Sequence, residues 1–340
     1  AADLFFDFKV ADLAMGSGHF LTAAIDHIEA KMAAFLAGEG HAIPGVANEI
    51  TKLFEAAKDA VGPDVPEPEP SSLLRRQIAR RCVYGLDINP IAVELARVSI
   101  CIHTFVRGLP MSSLDNNLVC GNSLTGIGSV EEALDVLVPG RKGAMTLFDA
   151  PIEEALERAK TVLVDVALMP EMNRAETRAA SKAVQAARKE AEIAGLLFDA
   201  AVLRRIGEEA LAPGITPNEI AKAASGVQAQ AEIAPLKPAH MPVLFPEVFL
   251  REHGGFDVLV GNPPWEKLKV EEDQWWGMHI AGLRSLPMSQ RMAQLRSFQR
   301  SRPDLMAEFA VAVDNSKAAR SAIAAGPYPG IGSGDLDLYK

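Results

Sequence analysis

The stretch Asp12-Leu-Ala-Met-Gly16-Ser-Gly18-His-Phe20 decides the fold class of this chain. A short apolar run over residues 8–13 leads into it and a helical pattern over residues 19–36 follows, which together predict a strand, a tight turn and a helix. Glycines let the backbone of such a turn approach a ligand, and the start of the next helix offers free N–H groups. A small-molecule cleft is therefore expected at the turn.

Three further apolar runs, residues 82–87, 118–120 and 256–261, predict strands that end at glycine or polar residues. Asn89 followed by Pro90 marks the start of a helix over residues 91–105, as an N-cap and a proline at the first helical position. Strands that alternate with helices predict a parallel α/β sheet with right-handed crossovers. Such sheets bind ligands at the carboxyl ends of their strands.

Residues 126–235 differ in character from the rest of the chain. They are rich in Ala, Glu, Lys and Arg, with helical patterns over 153–165 and 175–207 and no strand signal. We interpret them as a helical insertion, a hairpin whose helices cover or extend the main domain. The chain then divides into residues 1–125, 126–235 and 236–340.

The composition bounds the class of protein. Of 340 residues 49% are hydrophobic and 23% charged, and no window holds the roughly 18 uninterrupted apolar residues of a membrane span. The chain starts without the basic region of a secretory signal, so a cytoplasmic location is expected. Cys82, Cys101 and Cys120 are widely spaced and indicate small buried thiols rather than a disulfide framework or a zinc site.

The charge balance argues against nucleic-acid binding through bulk positive charge, because 34 basic and 44 acidic residues give a net charge of −10. Two arginine clusters are nevertheless compatible with a local basic surface or with a solvated helix face. They comprise Arg75, Arg76, Arg80 and Arg81, and Arg291, Arg296, Arg300 and Arg302.

The turn after the first predicted strand favours neither dinucleotides nor nucleoside triphosphates. Leu21 stands at the third glycine position of the dinucleotide fingerprint, and the chain contains no phosphate loop of the Gly-x-x-x-x-Gly-Lys type. Asp87 ends the second predicted strand, where an acidic side chain can accept both hydroxyls of a ribose. The alternative role for Asp87 is a charge at the N-terminus of the next helix.

Asn262-Pro-Pro-Trp265 follows the last predicted strand directly. Two consecutive prolines stiffen the backbone and remove two donors, so the carbonyls of the turn act as acceptors beside the Asn262 side-chain oxygen. Two acceptors can hold an exocyclic amino group while Trp265 stacks on the attached ring. The motif therefore indicates alkylation of a planar amine, and the alternative is a proline-stiffened turn with a core tryptophan.

In these motifs the chain resembles the gamma-class N6-adenine DNA methyltransferases that use S-adenosylmethionine, especially the large restriction-modification and phage-exclusion (BREX-like) enzymes. Residues 12–20 resemble motif I, with Leu13 where proline is usual, and residues 83–90 resemble motif II. Residues 117–124 resemble motif III and residues 262–265 the catalytic motif IV. Residues 333–339 are similar to the opening of motif V, with Asp337 where asparagine is usual.

The resemblance implies a Rossmann-like methyltransferase sheet whose first part, 1–125, binds S-adenosylmethionine, and whose last part, 236–340, is catalytic. The turn at 12–18 would hold the methionine part of the cofactor, Asp87 its ribose and Asn122 its adenine. No metal is implied. The implied cofactor-binding residues are Asp12, Ala14, Met15, Gly16, Gly18, Phe20, Asp87, Ile88, Asn122 and Ser123, and the implied catalytic residues are Asn262, Pro263, Pro264 and Trp265.

The implied reaction takes place on an adenine flipped out of the DNA duplex. Asn262 and the Pro263 carbonyl would hold its amino group, Trp265 would stack on the base, and no general base of tuned pKa is required. The arginine cluster of residues 291–302 is expected near the DNA phosphates. A methyltransferase for a protein glutamine amide or an RNA base, and an inactive cofactor-binding scaffold subunit, are the alternatives, and Trp265 and the long insertion favour DNA.

Two departures from the family pattern concern the ends of the sequence. No motif with an aromatic residue and Thr-Pro precedes Asp12, and the motifs and strands expected beyond Tyr339 are absent. We therefore expect a catalytic-core fragment with a four-stranded sheet in the order three, two, one, four. The remaining strands and a target-recognition domain would be supplied in cis or by another subunit.

Overall fold

The computed structural model describes residues 2–61, 66–207, 215–263 and 269–328, and it confirms an α/β architecture around a parallel sheet. The four strands of the sheet follow the four predicted apolar runs. They are β1 (Val10–Asp12), β2 (Val83–Asp87), β3 (Leu118–Cys120) and β4 (Val258–Leu259).

The sheet has the order β3-β2-β1-β4 with all neighbours parallel, as predicted. Val10 of β1 is in register with Val83 on one side and Val258 on the other. The outer strand β3 has its predicted bounds, whereas β4 is shorter than predicted and comprises only Val258 and Leu259, which are 38% and 61% exposed. Within the described ranges β4 pairs with β1 alone, so one of its edges is open.

One face of the sheet is covered by helices from the first part of the chain. Asn89 caps the last of these helices, since its side-chain oxygen accepts the Ile91 N–H at 3.0 Å and Pro90 follows at the first helical position, as predicted. The helices are α1 (Ala2–Phe5), α2 (His19–Leu36), α3 (Pro44–Val61), α4 (Pro70–Arg81) and α5 (Pro90–His103).

The insertion forms a helical layer with its own core of alanine, leucine and valine side chains. The expected hairpin is present as α7 packed against α8, but residues 175–207 form two helices that separate at Ala191, and further helices surround them. All residues around Ala191 favour helix, so helix propensity does not predict that the helix is interrupted there. The helices are α6 (Val130–Leu137), α7 (Asp149–Leu168), α8 (Arg174–Glu190), α9 (Glu192–Gly207), α10 (Pro217–Ala224) and α11 (Val227–Ile233).

The last part of the chain covers the second face of the sheet and then builds a small separate core. Phe245 and Val248 pack on Tyr84 and Leu86 of β2. Farther along the chain, Trp275 and Trp276 are buried in the small core. The helices are α12 (Met241–Leu244), α13 (Pro246–Phe249), α14 (Glu272–His279), α15 (Met288–Ser301) and α16 (Pro303–Ala324), with a 3-10 helix at Leu283–Ser285. In the part of the chain that the structure describes, no helix is long and apolar enough to cross a membrane.

Both interpretations of the first arginine cluster are wrong, because Arg76, Arg80 and Arg81 are buried. The carboxylate of Glu171, itself 1% exposed, lies 3.7 Å from the Arg76 guanidinium and 3.4 Å from that of Arg80. Glu171 follows α7, so these ion pairs tie the insertion to α4. A helical pattern does not reveal that an acidic partner from a distant segment neutralises its arginines.

The cysteines also differ from their expected burial. Cys82 is buried as predicted, whereas Cys101 is partly exposed and Cys120, at the end of β3, is exposed. Cys120 is the last residue of β3, whereas Leu118 and Val119 of the same strand are buried.

Candidate active site at the carboxyl edge of the sheet

The turn between β1 and α2 contains two glycines in left-handed conformation, Gly16 with φ of 53° and Gly18 with φ of 84°. A Cβ atom on Gly16 would meet no atom within 4 Å, so the space beside it is open. A Cβ atom on Gly18 would lie 3.3 Å from the Cβ of Ala96, so this glycine allows α2 to approach α5. The first glycine therefore leaves room for a ligand, and the second serves packing.

Asp87 meets the glycine turn across 71 residues of sequence. One of its carboxylate oxygens accepts the Gly16 N–H at 2.9 Å and the other accepts the Asn89 N–H at 2.8 Å. Each oxygen can accept a further hydrogen bond, because an ionised carboxylate has about four acceptor sites. Asp87 thus places a charge at the N-terminus of α5, which is its alternative role, and its carboxylate can still accept hydrogen bonds from a ligand.

Asp12, the last residue of β1, is almost fully buried at 1% exposure. Its Oδ1 accepts the Ala14 N–H at 3.0 Å, while its Oδ2 is buried with no hydrogen-bond partner among the described residues. Burial raises the pKa of this carboxyl; the Ala14 hydrogen bond opposes the shift and the charge of Asp87 adds to it. An orphaned acceptor at the floor of a turn is suited to a cationic or donor group of a ligand.

Asn262 and Pro263 follow β4 and are exposed at the same edge of the sheet. The residue before them, Gly261, packs on β1, since a Cβ atom there would lie 2.6 Å from Oδ1 of Asp12. The Asn-Pro-Pro-Trp motif therefore begins directly after a residue that contacts Asp12. Pro264 and Trp265 lie outside the described residues.

The side chains around the turn differ in exposure. Phe20 and Ile88 are 49% and 50% exposed, so their apolar surfaces are open to a planar ligand. Met15, in contrast, packs in the core against Gly85 and is 4% exposed, so only its backbone faces the turn. Ala14 is partly buried. A buried methionine cannot be distinguished by sequence from one that lines a cleft.

Asn122 and Ser123 follow β3 and are partly buried. The Asn122 side-chain oxygen accepts the Leu124 N–H at 3.0 Å within its own turn. Its backbone pairs with a distant segment, since the Asn122 N–H donates to Lys237 and its carbonyl accepts the Ala239 N–H. The motif III loop is therefore held by residues at the end of the insertion.

A cavity of about 360 Å³ lies beside these loops rather than within them. It lies between α5, the outer edge of β3 and α8, where Arg97, Cys120 and Arg188 line it. The turn, Asp87 and Asn262 do not line this cavity, and the candidate site lies at the open carboxyl edge of the sheet. In the described ranges no group of three His, Cys, Asp or Glu side chains is placed to hold a metal ion.

Sequence reasoning missed Gly261, which immediately precedes the catalytic motif. Its position after a strand and before Asn262 was a usable signal, because glycine in a strand often marks a close backbone approach.

A comparison with protein families supplies independent information. The model of the Eco57I restriction-modification methylase family matches residues 81–280, more than half of the chain. The chain belongs to this family. Among curated proteins and solved structures, no match to the chain was found.

Membership in the Eco57I methylase family supports a DNA methyltransferase of the restriction-modification type. The matched segment contains Asp87 at the end of β2, Asn122 after β3 and Asn262 after β4. The glycine turn at residues 12–18 precedes the matched segment. The turn is therefore evidence that is independent of the family match, and it lies at the same edge of the sheet as Asp87 and Asn262.

Proposed function

We propose that the chain transfers the methyl group of S-adenosylmethionine to the exocyclic N6 of an adenine flipped out of DNA, as part of a restriction-modification or phage-defence system. The observation that carries this proposal is the contact of Gly261 with Asp12. It brings the acceptor pair Asn262 and Pro263 to the edge that also carries Gly16 and Asp87. A methyl donor bound at the turn and an amine held at Asn262 would then be neighbours.

The described residues fit the proposed cofactor. The unpartnered Oδ2 of Asp12 suits the ammonium group of the methionine part, and the space at Gly16 accommodates its chain. Asp87 has acceptor capacity for ribose hydroxyls, and the exposed Ile88 and Phe20 offer apolar contacts for the adenine ring. When bound, S-adenosylmethionine supplies an electrophilic methyl group on a positively charged sulfur.

Asn262 and Pro263 would orient the substrate. The Asn262 side-chain oxygen and the Pro263 carbonyl accept hydrogen bonds from the two protons of the adenine amine, which directs the nitrogen lone pair out of the ring plane. Rate then depends on placement of the amine in line with the methyl group. After transfer the amine carries an acidic proton, which it loses without a dedicated general base.

The test is methyl transfer from labelled cofactor to DNA, RNA and protein in parallel, with the methylated nucleoside identified by mass spectrometry. We expect label in DNA as N6-methyladenine, and Asn262→Ala should abolish it while leaving binding of S-adenosylhomocysteine intact. Asn218→Ala, an exposed asparagine on α10, is the matched control and should retain transfer.

Other outcomes separate the alternative functions. Label in protein or RNA alone would replace DNA as the substrate. Cofactor binding without transfer to any of the three, when the remaining strands and a target-recognition domain are supplied, would identify an inactive scaffold. Absence of cofactor binding would reject the methyltransferase mechanism proposed for the cleft.

A further inference from the structure

Lys237 lies in a segment that leaves the insertion and is tied to the motif III loop. The Asn122 N–H donates to the Lys237 carbonyl at 2.7 Å, and the Ala239 N–H donates to the Asn122 carbonyl at 3.0 Å. The Thr125 hydroxyl donates to the buried Leu236 carbonyl at 2.8 Å. These bonds hold the backbone on both sides of Lys237 against the end of β3.

The backbone of Lys237 is in the left-handed region, with φ of 45°. This conformation costs a non-glycine residue free energy, and glycine or asparagine adopts it more readily than lysine. Lysine is therefore not the residue that this backbone conformation favours.

The Lys237 ammonium reaches the carboxyl end of β2. Its Nζ donates to the Ile88 carbonyl at 3.2 Å across 149 residues of sequence, and the side chain is exposed. Ile88 immediately follows Asp87, and Cys120 at the end of β3 contacts the same carbonyl. An ammonium group has three donors, so bonding to Ile88 leaves capacity for a ligand acceptor.

We propose that Lys237 is a cofactor-binding residue that donates a hydrogen bond to a ring nitrogen of the adenosine end of S-adenosylmethionine. This inference rests on the function proposed above. Lys237 lies at the ends of β2 and β3, whereas the orphaned Asp12 carboxylate lies at the end of β1.

Electrostatics favours the same assignment. The methionine end of the cofactor carries a sulfonium and an ammonium, which a lysine would repel and Asp12 would attract. Adenosine is uncharged, and the edges of its ring present nitrogen acceptors that match an ammonium donor. Asp87 as acceptor and Lys237 as donor would then select the ribose and the base respectively.

The experiment is calorimetric titration of the full chain with S-adenosylhomocysteine. We expect Lys237→Met to weaken binding about tenfold, the usual scale for a hydrogen bond to a charged group, and Lys237→Arg to restore part of the affinity. Lys222→Met, an exposed lysine on α10, is the control and should bind like the parent.

A second variant separates binding from folding. Lys237→Asn should unfold at the same temperature as the parent or higher, because asparagine tolerates the left-handed conformation, yet it should bind S-adenosylhomocysteine as weakly as Lys237→Met. Analogues that lack one ring nitrogen identify the contact, since the parent should discriminate against one of them and Lys237→Met should not.

The outcomes are distinguishable. If the parent does not bind S-adenosylhomocysteine, the proposed function fails and this inference fails with it. If the parent binds and the Lys237 variants bind equally well, only the role of Lys237 is overturned. Unchanged cofactor affinity with weakened DNA binding would reassign Lys237 to a DNA phosphate.

Discussion

Gly261 lies against the carboxylate of Asp12, so the strand that precedes the Asn262 motif has no space for a side chain at this position. An added Cβ atom would be 2.6 Å from Oδ1 of Asp12, and the φ of Gly261 is 156°. The contact joins the ends of β4 and β1, which are separated by most of the chain. It couples the proposed amine-binding turn to the proposed cofactor turn.

We expect Gly261→Ala to lower the free energy of unfolding by about 1 to 3 kcal/mol, since overpacking displaces either β4 or Asp12. Urea denaturation measures the change. In an Asp12→Ala background the same substitution should cost less, because the clashing carboxylate is gone and only the backbone strain of an alanine at a φ of 156° remains. Gly207→Ala at the end of α9, where a Cβ atom meets nothing within 4 Å, is the control. Additive effects of the two substitutions would show that the contact is absent in solution.

Asp12→Asn should weaken binding of S-adenosylhomocysteine without lowering stability at neutral pH. Burial raises the pKa of Asp12, so ionisation of this carboxyl destabilises the folded state once the pH exceeds the pKa of Asp12 in the unfolded chain. The variant lacks this charge and should be about as stable as the parent or about 1 kcal/mol more stable at neutral pH. Calorimetry and urea denaturation on the same samples provide the comparison. Equal cofactor affinity would remove Asp12 from the binding site.

Glu247 makes stability depend on pH. Burial raises its pKa to about 7, and its Oε1 accepts a hydrogen bond from the Asn116 side chain at 2.7 Å. Because the pKa of Glu247 is higher in the folded state than in the unfolded state, the protein loses stability as pH rises from the unfolded-state pKa through the folded-state pKa. The stability advantage of Glu247→Gln should therefore grow by about 2 kcal/mol between about pH 5 and about pH 8.

The control for Glu247 is Glu252→Gln, since Glu252 is exposed. Its effect on the free energy of unfolding should be the same at both pH values. A stability difference for Glu247→Gln that does not change with pH would show that Glu247 stays ionised in the folded protein.

Arg296 and Arg300 on α15 are exposed, in contrast to the buried arginines of α4. If they contact DNA phosphates, replacing both with alanine should reduce the salt dependence of DNA binding by up to about two units of slope. Arg174→Ala with Arg178→Ala removes the same charge from exposed positions on α8 and should leave the slope unchanged. Fluorescence anisotropy over a range of salt concentrations measures both, and an unchanged slope in the α15 variant would identify a solvated helix face.

Much of the fold followed from local signals in the sequence. Apolar runs that end at glycine or a polar residue located the strands, and Asn89-Pro90 located the start of α5, because capping depends on a few adjacent residues. The sheet order expected from the family resemblance was also observed. The sequence by itself therefore determined the order and position of the elements at the carboxyl edge.

Tertiary structure alone decided which side chains of those elements are accessible. Met15 is buried although its neighbours line the turn, and Arg76 and Arg80 are buried because Glu171 pairs with them from beyond α7. Lys237 reaches Ile88 only because the insertion returns the chain to the end of β3. Burial and charge pairing depend on residues far apart in the chain, and no local pattern specifies which distant segment supplies the partner.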